Sequence, residues 1–279
     1  MIELGKIQTL IVVKKSSNGV YLNTPDGEEA EKVLLPNNQV PEVCRPGDEL
    51  SVFIYKDSED RPIATRTVPY LTLGETAVLE VVQVSKIGAF LNWGLAKDLF
   101  LPFREQTKRV KPQDKVLVAL YIDKSDRLCA TMNVYHYLKS CSPYKKDDQV
   151  SGIVYETSGS FGIFVAVDNK YSALIPKKEA AQPLFVGDII EARVASVRED
   201  GKLNLSLRKK AYLQMDDDSE LIFSSLQKKG FLPLHDKSDP EDIRATFGLS
   251  KNAFKRAVGH LLKEGKITLV ENGIRLKKK

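Results

Sequence analysis

The chain has 279 residues, 42% of them apolar, a formal net charge of +5 and three cysteines. No apolar run approaches the roughly 18 residues of a membrane span, and "MIELGKIQTL" lacks the basic start and small-residue cleavage site of a signal peptide, so a cytoplasmic protein with no membrane partner is expected. Cys44, Cys129 and Cys141 follow no CxxC spacing, which argues against a disulfide framework or a zinc cluster and leaves inert thiols, while the modest positive charge permits a polyanionic partner without requiring one.

In chain order, one pattern recurs three times. "GVYL" at Gly19, "GAFL" at Gly88 and "GIFV" at Gly162 each place an aromatic two residues after a glycine. Each is followed by an apolar pair and proline ending at Pro36, Pro102 and Pro176, then by "PGDEL", "PQDKV" and "VGDII". The register holds: Pro36 and Pro102, Pro46 and Pro112, and Asp60 and Asp126 stand 66 residues apart, and Gly88 and Gly162, Pro102 and Pro176, and Asp114 and Asp188 stand 74 apart. A fixed period of this kind marks repeated structural units. Within each unit, short alternating runs separated by turn signals predict five strands, the count of a small OB-type barrel whose strands 2 and 3 present a ligand face.

"SGSFGIFV", Ser158 to Val165, carries two phenylalanines around Gly162. In a regular strand they would point to opposite faces, so either each fills a different piece of core or a bulge at the glycine brings both rings to one side. The third unit, from Asp148 to about Lys210, resembles an S1-type RNA-binding domain through the aromatic-Gly-x-aromatic run, the apolar pair, "GD" and "LSL". The first two units are weaker versions, with Asn18 and Ile87 where the third has Phe161. The resemblance implies that Phe161 and Phe164 stack nucleobases, that Tyr21 and Phe90 are their single counterparts, and that Lys177 and Lys178, which follow Pro176 where the family often carries a histidine, meet phosphate. Base stacking of this type is worth about 1 to 3 kcal/mol per base. Trp93, the single tryptophan, reads as a turn residue covering a barrel mouth.

After Lys210 the spacing becomes helical. "DDDSELIFSSLQKKG" reads as a helix with acids at its start, Leu221, Ile222 and Leu226 as its apolar face and Gly230 as its stop. "SDPEDIRATFG" reads as a second helix with Ser238 as N-cap and Glu241 completing a capping box. A third, from Ser250 to Glu264, places Ala253, Phe254, Ala257, Val258, Leu261 and Leu262 on one stripe, with Asn252, Lys255, Arg256 and Lys263 outside it. Asn272-Gly273 predicts a type I′ hairpin turn. This order resembles a winged-helix domain, in which the third helix and the wing, with Arg275, would contact nucleic acid.

The expected fold class is therefore mainly β with a C-terminal α+β domain: S1-like units over 1–68, 69–140 and 147–210, then a winged helix over 217–279. Three OB-type units followed by one winged helix resembles the CvfB (conserved virulence factor B) family, including YitL-like proteins. What that resemblance implies is a non-catalytic, cytoplasmic protein that binds single-stranded RNA and regulates gene expression after transcription, virulence genes among them. The alternatives are a winged-helix regulator acting on DNA and an accessory RNA-binding subunit of a nuclease or ribosome-associated complex. No cofactor is implied. His136, His235 and His260 show neither ligand nor triad spacing, and no phosphate-binding glycine loop is present, so neither a catalytic nor a metal residue is assigned.

Overall fold

A computed structural model describes residues 1–28, 31–179, 183–207 and 211–277, with side chains of the first helix from 218 onward. The chain forms two compact units, one covering Met1–Leu207 and the second the remainder. Each is described separately. Among the described residues no helix is long and apolar enough to cross a membrane.

The first unit holds three barrels of one topology. The first comprises β1 (Ile7–Ser16), β2 (Gly19–Asn23), β3 (Val33–Pro36), β4 (Glu49–Lys56) and β5 (Pro62–Thr65). The second comprises β6 (Thr76–Val84), β7 (Gly88–Asn92), β8 (Leu99–Pro102), β9 (Lys115–Ile122) and β10 (Leu128–Thr131). The third comprises β11 (Gln149–Ser158), β12 (Gly162–Val167), β13 (Tyr171–Pro176), β14 (Ile189–Val197) and β15 (Leu203–Ser206). Each closes in the strand order 1-2-3-5-4, with strand 3 parallel to strand 5 and the other neighbours antiparallel. This is the closure of an OB-type barrel.

The repeated residues mark the backbone positions that the barrel constrains most. A Cβ on Gly162 would stand 2.1 Å from the carbonyl oxygen of Ile175, and its φ is +128°, so only glycine fits where the start of β12 pairs against the end of β13. In the turns before β4, β9 and β14, Asp48, Asp114 and Asp188 accept hydrogen bonds from the backbone N–H of Arg45, Lys111 and Phe185 at 2.7, 2.8 and 2.8 Å. The residue before each aspartate is left-handed, a glycine in two copies and Gln113 at φ +73° in the second.

The barrels pack directly on one another. Trp93 is 3% exposed and lies in the second barrel's core, edge-on to Phe53 of β4 at 5.7 Å, with its indole N–H donating to the Lys97 carbonyl at 2.6 Å. Phe53 and Tyr55 of the first barrel pack against it edge-on, so the indole is buried where the two barrels meet. Between the second and third barrels, Leu117, Ala119, Val134, Leu138, Ile153 and Tyr155 form a separate buried cluster. The connecting segment is stitched to the third barrel, because Lys139 N–H donates to Lys170 O at 2.7 Å and Ser172 N–H donates to Lys139 O at 2.9 Å.

The second unit contains α1 (Ala211–Lys229), β16 (Phe231–Leu232), α2 (Pro240–Phe247), α3 (Lys251–Lys263), β17 (Ile267–Val270) and β18 (Gly273–Leu276), with the sheet ordered β16-β18-β17. Ile222, Leu226, Ile243, Phe254, Leu261 and Ile274 build its core. Several local expectations are corrected. α1 begins at Ala211, so Asp216 to Asp218 lie inside it rather than at its start, and Asp218 is buried. Asp239, not Ser238, caps α2 by accepting from Glu241 N–H at 2.8 Å, while the Ser238 hydroxyl accepts from His235 N–H at 2.9 Å in the preceding turn. Leu221 and Leu262, assigned to apolar faces, are 48% and 42% exposed. The wing closes at Val270 and Gly273, but Glu271 and Asn272 are not among the described residues of positive φ, so the turn is not type I′. Gly273 serves a different need: a Cβ there would meet the Leu232 carbonyl oxygen at 2.1 Å.

Candidate nucleic-acid interface

In the third barrel, Ile163, Val165 and Val167 of β12 point into the core, and alternation sends Phe164 outward. Phe161 precedes the strand and is 67% exposed, so neither ring is part of that barrel's core. The bulge expected at Gly162 lies instead in the partner strand β11, between Val154 and Glu156, and β12 keeps an unbroken register with β13 from Gly162 to Val167.

The two phenylalanines differ in accessibility. Phe164 is half-buried against the inter-barrel cluster, with ring centroids 6.1 Å from Tyr155 and 6.3 Å from Tyr135, the latter edge-on. Tyr135 comes from the connecting segment and had no signal in the sequence. It is 40% exposed, and the Lys202 ammonium donates to its hydroxyl at 3.0 Å, which holds that ammonium's pKa above the ordinary lysine value. Phe161 is therefore the open platform. Lys177 N–H donates to the Phe161 carbonyl at 3.2 Å, so the exposed turn carrying Lys177 and Lys178 begins at the base of that ring. Glu179, the last residue of this turn, accepts from the buried Ser206 hydroxyl at 2.9 Å.

The same positions in the other barrels are differently furnished. Phe90 on β7 is half-buried and pairs directly across the ladder with Phe100 on β8, the ring centroids 5.4 Å apart. A second aromatic thus comes from the neighbouring strand, where reading along one strand missed it. Arg104 occupies the position of Lys178 and is exposed; the 74-residue offset identifies it. In the first barrel Tyr21 is half-buried, with the Lys32 ammonium 5.6 Å from its ring centroid.

In the second unit, Asn252, Lys255, Arg256 and Lys263 are exposed on α3, as expected for its outer side. The helix is capped by the Ser250 hydroxyl, which accepts from Ala253 N–H at 3.2 Å. Arg275 on β18 is exposed and lies over the Phe231 ring at 5.8 Å. Cys44 and Cys129 are buried and Cys141 is exposed; burial pushes the Cys129 thiol up to about 11, so it stays protonated at neutral pH.

Models of the S1 domain match residues 4–67 and 73–133, a model of the second domain of virulence regulatory factor CvfB matches 136–209, and a model of the CvfB-like winged helix domain matches 220–276. YitL of Bacillus subtilis (strain 168) is 34% identical over 99% of this chain and 94% of its own length. Conserved virulence factor B of Staphylococcus aureus (strain N315) is 29% identical over 97% of this chain and 95% of its own. A solved structure, described as a multidomain protein with nucleic acid binding domains from Streptococcus pneumoniae TIGR4, is 26% identical and superposes with a TM-score of 0.50, covering 98% of both chains. Matched from its first barrel to its wing, the chain belongs to the CvfB family of tandem S1 domains followed by a winged helix.

Proposed function

We propose that this chain is a non-catalytic, cytoplasmic RNA-binding regulator that takes hold of single-stranded RNA on the outer face of its third barrel and acts after transcription. The observation that carries the reading is the exposed Phe161 ring beside the Lys177 and Lys178 turn. An unpaired base stacks on the ring whatever its identity, and the ammonium groups neutralise the adjoining phosphates. Phe164 supports the base from the barrel side. Tyr21 and Phe90 supply weaker contacts along the same strand in the other barrels. The relatives named for virulence support a role in controlling virulence genes, and the neighbour described by its nucleic acid binding domains supports the ligand class.

The second unit offers the competing reading, since Asn252, Lys255, Arg256 and Lys263 present a basic outer side on α3 suited to a duplex groove. Competition separates the two. A fluorescein-labelled single-stranded RNA bound to the full chain should be displaced by unlabelled RNA far better than by duplex DNA. Equal or stronger displacement by duplex DNA overturns the RNA reading in favour of the winged helix.

A further inference from the structure

We propose that the third barrel carries a self-association face, centred on Phe185 and Ile189, through which two copies of this chain form a weak symmetric dimer. The three barrels supply an internal comparison. Aligned on the turn aspartates Asp48, Asp114 and Asp188, the residue three before and the residue one after are Arg45 and Glu49 in the first barrel and Lys111 and Lys115 in the second, all of them exposed. Charge is the ordinary choice at a solvated turn. The third barrel instead has Phe185 and Ile189, which are 69% and 76% exposed. Phe185 N–H donates to the Asp188 carboxylate at 2.8 Å and Asp188 N–H donates to the Phe185 carbonyl at 3.0 Å, which sets Phe185 beside the first residue of β14. Two large apolar side chains thus share one end of a strand where the fold asks only for a soluble residue, and such a patch marks a contact surface.

The pair continues an interface already present. Ile189 stands across the ladder from Ile153, a member of the buried cluster between the second and third barrels, and Val186 packs on the second barrel's core while its carbonyl accepts from the Lys108 ammonium at 2.7 Å. The flanks differ in charge. Lys115 lies on the second-barrel side, in the cleft with Ile153 and Gly187, whereas Glu191 follows Ile189 on the same face of β14. Neither side chain has a hydrogen-bond or ion-pair partner among the described residues, and Lys115 forms none with Glu80 across the ladder. An apolar centre with a cation on one flank and an acid on the other is self-complementary about a two-fold axis, because Lys115 of each copy meets the partner's Glu191. Two anchors fall well short of the roughly 20 to 30 residues a side of a standard interface, so the dimer is weak and depends on concentration. Phe161 follows Ser158, about 17 Å along β11 from Ile153, which leaves the base platform of each copy open.

Sedimentation velocity of the nuclease-treated full chain, over a wide range of loading concentration, tests this. The weight-average coefficient should rise from the monomer toward the dimer value, and Phe185→Ser should require about 30-fold more protein for the same rise. Phe161→Ala should leave the rise unchanged. Lys115→Glu and Glu191→Lys should each remain monomeric at concentrations where the parent dimerises, because like charges then meet at both contacts. An equimolar mixture of those two variants should recover the dimer, since one contact is reversed in sign and the other is parental, and the recovery shows that both variants are folded. A parent that stays monomeric at every concentration overturns the proposal, and so does association that Phe185→Ser leaves undiminished. A mixture that fails to recover the dimer overturns the two-fold pairing. Association seen only after RNA is added overturns it as well and assigns the dimer to a bridging strand.

Discussion

The Glu105 carboxylate accepts a 2.7 Å hydrogen bond from the Thr131 hydroxyl, tying the turn after β8 to the end of β10. Gln39 with Thr65, and Glu179 with Ser206, repeat it in the other barrels at 2.7 and 2.9 Å. All three hydroxyl-bearing residues are buried. Removing the acceptor leaves a buried donor unmet, so Glu105→Ala should destabilise the first unit by about 1 to 3 kcal/mol. Denaturant melts of the full chain, read at the first transition lost, check this value.

Gln113 occupies the left-handed position that is glycine in the other two barrels. Left-handed backbone costs a side-chain-bearing residue about 1 to 2 kcal/mol, partly offset by glycine's greater freedom in the unfolded chain. Gln113→Gly should therefore raise stability by about 0.5 to 1 kcal/mol, visible as a shift in the denaturation midpoint at constant slope. A loss of stability would show that the glutamine side chain makes a compensating contact.

Phe161 and Phe164 should behave as different residues. Phe161→Ala removes an exposed ring and should cost about 1 to 3 kcal/mol of RNA affinity, with stability changed by less than about 0.5 kcal/mol. Phe164 is packed against Tyr135 and Tyr155, so Phe164→Ala should also cost stability, by about half the 3 to 5 kcal/mol of a fully buried phenylalanine. Paired melts and RNA titrations of the single variants decide; a Phe161→Ala protein that melts early yet binds normally would contradict the assignment.

Much of the fold was legible because the barrel makes demands at fixed points: a glycine where strand 2 begins against the end of strand 3, an aspartate that caps a turn, and a turn residue of positive φ. Such points recur at constant spacing even where the strands between them drift. The face chemistry was less legible. Phe100 sits in an apolar-apolar-proline run that reads as core, and only the register opposite Phe90 places it outside. Tyr135 lies in a connection with no periodic pattern. Ser238 and Asp239 are both good caps, and which one bonds depends on a one-residue difference in chain direction that propensity does not encode.

Glu75 links stability to pH. Its carboxylate accepts from the Thr72 N–H and hydroxyl at 2.9 and 2.8 Å, and these bonds hold its pKa below the ordinary value of 4.5. Because the folded value is the lower one, the contribution is complete at neutral pH and disappears as pH falls below about 4.5 through the folded value. Glu75→Gln should thus be less stable than the parent at pH 7, and the two melting temperatures should converge in acid. A gap that stays constant across pH would assign the effect to packing.

The pairing of Lys139 with the edge of β13 removes a degree of freedom that tandem modules ordinarily keep. Beads on a flexible string let a ligand choose its own spacing, at the cost of ordering the string. Here the connection is fixed to the third barrel and the second and third barrels share a buried cluster, so on the proposed RNA reading a strand engaged at Phe161 would present its neighbouring nucleotides to the second barrel at an effective concentration set by geometry. Affinity should then rise with oligonucleotide length as a step rather than a slope. Lengthening the connection and also opening the buried cluster between the second and third barrels would turn the step back into a slope.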